Sequence, residues 1–242
     1  MYWKGKSLVS IRLSKTTYPV VQVSLDVETV DKALFVAEKA VAAGVDWLEA
    51  GTPLILSEGF RSVSSLRKRF PDRVIVSDQK SMDGGGLETE QAAKAGADVI
   101  VVMAAAHDAT IKEAVKYARK YDVAIMADLL AVKDKVSRAK QMEDFGVDYI
   151  IVHTGFDERH YNVGASPLSE LPDIVKAVKI PVQAVGGLTV EQAVETLKMG
   201  AKLIVVGAPL VTRDDKFDVG DERFDVVLRE VVRKVKGMRL AS

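Results

Sequence analysis

The sequence predicts a single (β/α)8 TIM barrel, and three observations carry that prediction. Apolar strand-like runs alternate with helical patterns along the whole chain. The runs are short and apolar on both faces, as buried parallel strands are. A helix–Gly–strand step also recurs at Ala43-Gly44-Val45-Asp46, Ala95-Gly96-Ala97-Asp98, Phe145-Gly146-Val147-Asp148 and Met199-Gly200-Ala201-Lys202. Glycine just past a helix end takes the left-handed conformation without a Cβ penalty. Each step therefore marks a helix-to-strand turn at the bottom of a barrel. Eight strand–helix units favour a closed barrel over an open doubly wound sheet.

The elements follow in order. Val20 to Leu25 is a strand, and Asp31 to Ala43 a helix with Ala33, Leu34, Ala37 and Val41 on one face. Strand Val45 to Leu48 precedes helix Ser57 to Phe70. Strand Val74 to Val76 precedes a helix around Glu88 to Lys94. Strand Val99 to Val102 precedes Ala109 to Lys120, and Val123 to Met126 precedes Lys135 to Phe145. Strand Tyr149 to Val152 precedes Leu168 to Val178, and Val182 to Val185 precedes Val190 to Met199. Strand Leu203 to Val206 leads to a last amphipathic helix near Phe224 to Val235. Met1 to Thr17 reads as an N-terminal extension, with residues 18–242 as the barrel and its C-terminal helix. Arg213 to Asp225 reads as an exposed loop. No linker or low-complexity segment divides the chain.

The composition narrows the class. The chain has 242 residues, 48% hydrophobic and 28% charged, which suits one α/β barrel of roughly 200–250 residues. The formal net charge is +0, so the basic excess of a nucleic-acid binder is missing. There are no cysteines, which excludes disulfides, thiolate metal sites and cysteine nucleophiles. Apolar runs fall short of the ~20 residues that span a bilayer. The N-terminus has no signal-peptide core. These features predict a cytoplasmic protein with no membrane or nucleic-acid partner.

In such a barrel the active site lies at the C-terminal strand ends. Those ends present Asp26, Glu49, Asp78 with Lys80, Asp128, His153, Gly186-Gly187 and Gly207. The densest stretch is Asp78-Gln79-Lys80-Ser81-Met82-Asp83, directly after an apolar run. Glu49 and Asp78 supply hard oxygen ligands suited to Mg²⁺; the plainer alternative makes them capping or salt-bridging carboxylates. Lys80 serves as acid, base or anion clamp, or as a counter-ion to Asp78 and Asp128. Asp83 suits the cap of the next helix. Free imidazole titrates near neutrality, and His153 sits beside Thr154-Gly155, which favours proton transfer over a structural role. Asp26 and Asp128 read as orienting groups. Gly186, Gly187, Gly207 and the adjoining Ala208 lie where barrels bind phosphate on bare backbone N–H groups. Pro209 has no N–H to add, and Arg213 is a candidate to compensate.

The segments WLEAGTPLI (47–55), SDQKSMD (77–83), MADL (126–129), VDYIIVHTGFD (147–157) and AVGGL (184–188) closely resemble the 3-hexulose-6-phosphate synthase family. That family belongs to the orotidine-monophosphate-decarboxylase barrel superfamily. The resemblance covers about residues 20 to 210, and its motifs are specific in combination. It implies a Mg²⁺-dependent, reversible aldol reaction between formaldehyde and ribulose 5-phosphate. Glu49 and Asp78 are then the metal ligands, and Lys80 and His153 the catalytic groups. It also implies a homodimer, with Asp83 reaching into the partner's site. Where the family usually carries a carboxylate or small residue, this chain has His107. Rival activities are 3-keto-gulonate-6-phosphate decarboxylation, orotidine-monophosphate decarboxylation and non-catalytic sugar-phosphate binding. The decarboxylase branch places an Arg shortly after the strand-six His, whereas here Thr154-Gly155-Phe156 follows.

Overall fold

The computed structural model describes residues 12–207 and 222–238. Strands β1 (Val20–Leu25), β2 (Trp47–Ala50), β3 (Val74–Ser81), β4 (Val99–Met103), β5 (Ala124–Asp128), β6 (Tyr149–His153), β7 (Val182–Val185) and β8 (Leu203–Gly207) close in chain order into a parallel barrel. The seam pairs Val20 with Leu203 and Ser24 with Gly207. Around it run α1 (Val30–Ala43), α2 (Thr52–Glu58), α3 (Arg61–Arg69), α4 (Gly85–Ala95), α5 (Asp108–Tyr121) and α6 (Lys135–Asp144). They are followed by α7 (Phe156–Tyr161), α8 (Leu171–Ala177), α9 (Val190–Lys198) and α10 (Glu222–Lys236). The predicted (β/α)8 barrel is the observed fold.

Several boundaries differ from expectation. The single helix expected over 57–70 is two, because Gly59 (φ 58°, ψ −159°) breaks it in a conformation open to glycine. β2 begins at Trp47 and runs through Glu49, so that carboxylate sits within the strand. The helix expected from Leu168 begins at Leu171, after a 3₁₀ turn at Pro167–Ser169. Helix α7 was not expected. The largest difference is β3, which continues to Ser81 instead of ending at Val76. Its pairing slips there, since Ser77 faces Ile100 while Ser81 faces Val102. Lys80 absorbs the slip at φ 52°, a left-handed conformation uncommon outside glycine.

Strand side chains alternate between two compartments because the period is two. Outward residues such as Val23, Leu48, Ile75, Ile100, Ile125, Ile150 and Ile204 pack beneath the helices. Inward residues Val20, Trp47, Val74, Val99, Ala124, Tyr149 and Leu203 fill the N-terminal half of the barrel. Trp47 and Tyr149 meet edge to face with centroids 5.6 Å apart. Leu13, in the described part of the N-terminal segment, packs against this plug. Following the same parity upward reaches Gln22, Ser24, Glu49, Asp78, Asp128, His153 and Gln183. The alternation that buries the apolar plug also points these polar groups at the opposite mouth.

The repeated Gly-x-Asp step has a structural role. Gly44, Gly96, Gly146 and Gly200 all have φ between 89° and 104°. Asp46, Asp98 and Asp148 each accept the N–H of a residue in the preceding strand, Val21, Ile75 and Ile125, at 2.8 Å. Their own N–H groups donate to the carbonyls of those same residues. A cation neutralises each: Lys236 on Asp46, Arg12 and Arg67 on Asp98, and Arg119 on Asp148. In the fourth copy Lys202 keeps only the backbone bond, to Val182 O. The barrel is thus built from four strand–helix–strand–helix units.

Burial ranks these ties. The Asp98 side chain is fully buried, while that of Asp148 is 29% exposed. Asp98→Ala strands two guanidinium groups and the Ile75 N–H, a loss of about 3–5 kcal/mol for a buried pair broken from one side. Asp148→Ala should cost about 1–2 kcal/mol, the scale of one hydrogen bond lost at a wetter site. Urea unfolding midpoints measure both; equal losses would show that burial does not set the cost.

Candidate active site

A cavity of about 480 Å³ opens at the C-terminal end of the barrel. Among its lining residues are Asp26, Glu49, Asp78, Lys80, Asp128, His153, Gly186, Gly187 and Gly207. Nine of the residues expected at the site therefore converge on one space. Asp83 does not line it: the side chain is exposed and accepts the N–H of Gly84 at 2.7 Å. Ala208, with Pro209 and Arg213, lies outside the described residues.

Asp128 is the hub. The last residue of β5, it is fully buried. One carboxylate oxygen receives Lys80 Nζ at 3.2 Å and His153 Nδ1 at 2.8 Å. The other accepts the N–H of Leu130 at 2.8 Å. Burial alone would raise this carboxyl, but His153, Lys80 and the backbone bond outweigh it and hold it down at about 2. An ionised Asp128 can only accept, so Nδ1 of His153 carries the hydrogen. The lone pair is then left on Nε2, the pattern of a general base.

Lys80 is shared. Its ammonium lies 3.0 Å from Asp78 Oδ2 as well as against Asp128. Burial opposes its charge, yet Asp78 and Asp128 together push its pKa above the ordinary lysine value. It is therefore a standing cation and hydrogen-bond donor, not a base. Thr52, the first residue of α2, donates to Asp78 Oδ2 at 3.0 Å and to Asp78 O at 2.9 Å. These bonds hold the Asp78 side chain across the β3 slip.

Glu49 is the least compensated charge. It accepts Gln22 Nε2 at 2.7 Å, and Gln22 Oε1 accepts Gln183 Nε2 at 3.1 Å. Burial first, then Asp78 and Asp26, push its pKa well above the usual carboxylate range. Asp26, bonded by Ser24 Oγ at 2.9 Å, is raised chiefly by burial. Four carboxylates thus share the cavity with one lysine that is already committed. Among the described residues no three His, Asp or Glu side chains form a closed metal cage. The donor set is instead a pair of hard oxygens in an electronegative cavity. That fits Mg²⁺, which is usually held by one or two carboxylates with substrate oxygens and waters completing its shell.

Three further findings were not anticipated. Gln22 and Gln183 orient Glu49 from within strands. Arg159, on α7, lines the cavity beside Gly187; no periodic signal marks so short a helix. His107 turns out to be the N-cap of α5, its Nδ1 accepting the N–H of Ala109 at 3.1 Å. It does not line the cavity.

Residues 19–221 match the orotidine 5′-phosphate decarboxylase / HUMPS family. A Bacillus subtilis (strain 168) protein named 3-hexulose-6-phosphate synthase is 36% identical over 86% of this chain and 98% of its own length. A crystal structure of a 3-hexulose-6-phosphate synthase superposes with a TM-score of 0.80 at 31% identity, over 89% of this chain and 99% of that one. The 3-keto-L-gulonate-6-phosphate decarboxylase of Vibrio cholerae O1 gives a TM-score of 0.73 at 27% identity, over 90% of this chain and 99% of that one. With the inward carboxylate–lysine–histidine layer in view, the chain belongs to the orotidine 5′-phosphate decarboxylase / HUMPS family.

Proposed function

We propose that the chain is a lyase of the aldolase type, condensing formaldehyde with D-ribulose 5-phosphate to D-arabino-hex-3-ulose 6-phosphate, reversibly. The observation that carries this reading is the bridging of Lys80 and His153 by Asp128. It poises one base and one fixed cation at the same cavity mouth. The relatives named 3-hexulose-6-phosphate synthase support it. Gly186 and Gly187 sit where the sugar's phosphate docks, and His153 Nε2 takes the C1 proton to leave an enediolate. The resulting C1 nucleophile bonds to the formaldehyde carbon. Lys80 stabilises the new alkoxide by hydrogen bonds, and the His153 imidazolium returns its proton to that oxygen. Glu49 and Asp78 would hold Mg²⁺, which would supply positive charge to stabilise the enediolate.

We extend the reading to a cytoplasmic two-fold dimer. No described helix is long and apolar enough to cross a membrane. Met82 and Leu87, on either side of Asp83, are 54% and 61% exposed, as expected of a patch that a second copy covers. Asp83, which does not line its own cavity, would serve the partner's. A decarboxylase reading draws on Arg159, an arginine that α7, after strand six, does bring to the cavity.

Turnover assays separate the activities. Formaldehyde plus ribulose 5-phosphate should be consumed, while 3-keto-gulonate 6-phosphate should be a poor substrate; the reverse preference would replace the aldolase assignment. Chelation should abolish turnover and added Mg²⁺ restore it, and full activity in excess chelator would remove the metal from the account.

His153→Asn should fold normally and still bind the sugar phosphate. Exchange of the C1 proton of ribulose 5-phosphate with solvent should then fall by roughly 10²–10⁴-fold, the usual contribution of a general base. Wild-type exchange in the variant would put the base elsewhere. Mixing inactive Asp83→Ala and Lys80→Ala chains should restore about a quarter of the sites after random exchange in a two-fold dimer. No recovery with confirmed exchange would keep Asp83 within its own chain.

A further inference from the structure

Among the described residues the cavity is lined by two Lys or Arg side chains, Lys80 and Arg159. Lys80 is committed to Asp78 and Asp128. Arg159 is not: it makes no salt bridge among the described residues, and its Nε is buried with no hydrogen-bond partner. Buried donors are almost always satisfied, so an orphaned guanidinium nitrogen points to an absent acceptor. A guanidinium offers five donors in a planar fork matched to phosphate oxygens.

Its placement specifies that acceptor. The Arg159 side chain lies directly over Gly187, where a Cβ would fall 2.2 Å from Nη1 and 2.7 Å from Cδ. A side chain at 187 would displace the guanidinium from this position. Gly187 itself is at φ 62°, and neither it nor Gly186 donates its N–H to another described residue. Two open backbone donors and an unpaired guanidinium therefore face the same corner. The four carboxylates belong to β1, β2, β3 and β5, or the loop after them. Phe156, one turn earlier on α7, supports the guanidinium from below, its ring centroid 5.5 Å from Cζ. That contact holds the fork in place without using any of its donors.

We propose that Arg159 is the phosphate-monoester clamp of the cavity, reaching from α7 across Gly187 to close on the phosphate from the side facing solvent. The inference rests on the reading that the cavity takes a sugar phosphate, and it adds a ligand that the glycine loop alone does not provide. It also makes α7 responsive to occupancy, since the bound phosphate would tie that short helix to the loop after β7.

Calorimetric titration of the full chain with D-ribulose 5-phosphate, D-ribulose and inorganic phosphate tests this. Arg159→Met should weaken D-ribulose 5-phosphate binding by about 10- to 100-fold, the range for a lost hydrogen bond to a charged group. D-ribulose affinity should change less than about twofold. Arg159→Lys, which keeps the charge but not the fork, should fall between, and covers the case in which the Met variant folds poorly. Inorganic phosphate should bind wild type and be lost from Arg159→Met. Unchanged ribulose 5-phosphate affinity in both variants would overturn the clamp, as would an equal loss for D-ribulose, which would make Arg159 a pocket wall. If wild type binds ribulose 5-phosphate and phosphate through Arg159 yet does not react the sugar with formaldehyde, the aldolase reading fails while the clamp stands.

Discussion

Four carboxylates, Asp26, Glu49, Asp78 and Asp128, are packed into one cavity with a single lysine shared between two of them. Burying like charges together is unfavourable, and the molecule resolves the problem unevenly. Asp128 takes the cation, the imidazole and a backbone donor, and ends deeply ionised. Glu49 keeps one amide and the repulsion of its neighbours, and ends with its charge disfavoured. Environments that push two similar groups apart are how acid, base and ligand roles become distinct at one pH. The same unevenness leaves a deficit of positive charge on the Glu49–Asp78 side, where a divalent ion belongs in the proposed reaction.

The scaffold tolerates that deficit because its stability is secured elsewhere. The apolar plug around Trp47, Met126 and Tyr149 fills the floor of the barrel. The Asp46, Asp98 and Asp148 ties bind β1, β3 and β5 to the turn that follows, at the same end. All of this lies at the N-terminal face, away from the mouth. Barrels divide their labour this way, with stability below and chemistry above. The β3 slip is the exception. Lys80 is held in a left-handed conformation at the mouth itself, a strain of order 1–3 kcal/mol that persists only where surrounding contacts enforce it. Its two carboxylate partners supply those contacts.

Much of this was legible in the sequence, for a physical reason. A barrel's strand ends are its active face, so reading the residue after each apolar run found Glu49, Asp78, Asp128 and His153. What escaped depended on geometry that no period encodes. Lys80 itself stood out in the Asp78–Asp83 run, but the register slip that carries it to the cavity did not. Gln22 and Gln183 lie mid-strand, where alternation points them inward but does not reveal the hydrogen bonds that link them to Glu49. Arg159 sits on a helix of six residues, too short for an amphipathic pattern, and its role depends on Gly187 from another strand end. Asp83 does not line its own cavity, so a single chain leaves its role open. The Gly-x-Asp repeat was visible as a turn signal, but the carboxylate's bond back to the preceding strand required coordinates.

The central claim is that the mouth's carboxylate layer is kept for chemistry at the expense of stability, with Glu49 the least compensated member. Its raised pKa fixes the sign. The unfolded chain releases the Glu49 proton more readily than the folded one, so the penalty is absent below the unfolded value near 4.5. It grows as pH rises from there and is full above the folded value. Urea unfolding of the metal-free protein, wild type against Glu49→Gln, measures this directly, because glutamine keeps the shape and the Gln22 contact. The account predicts that Glu49→Gln is the more stable protein at pH 7, that the gap closes as pH falls toward 4.5, and that turnover is lost. A variant less stable than wild type at pH 7 would contradict it, because Glu49 would then be a stabilising part of the fold.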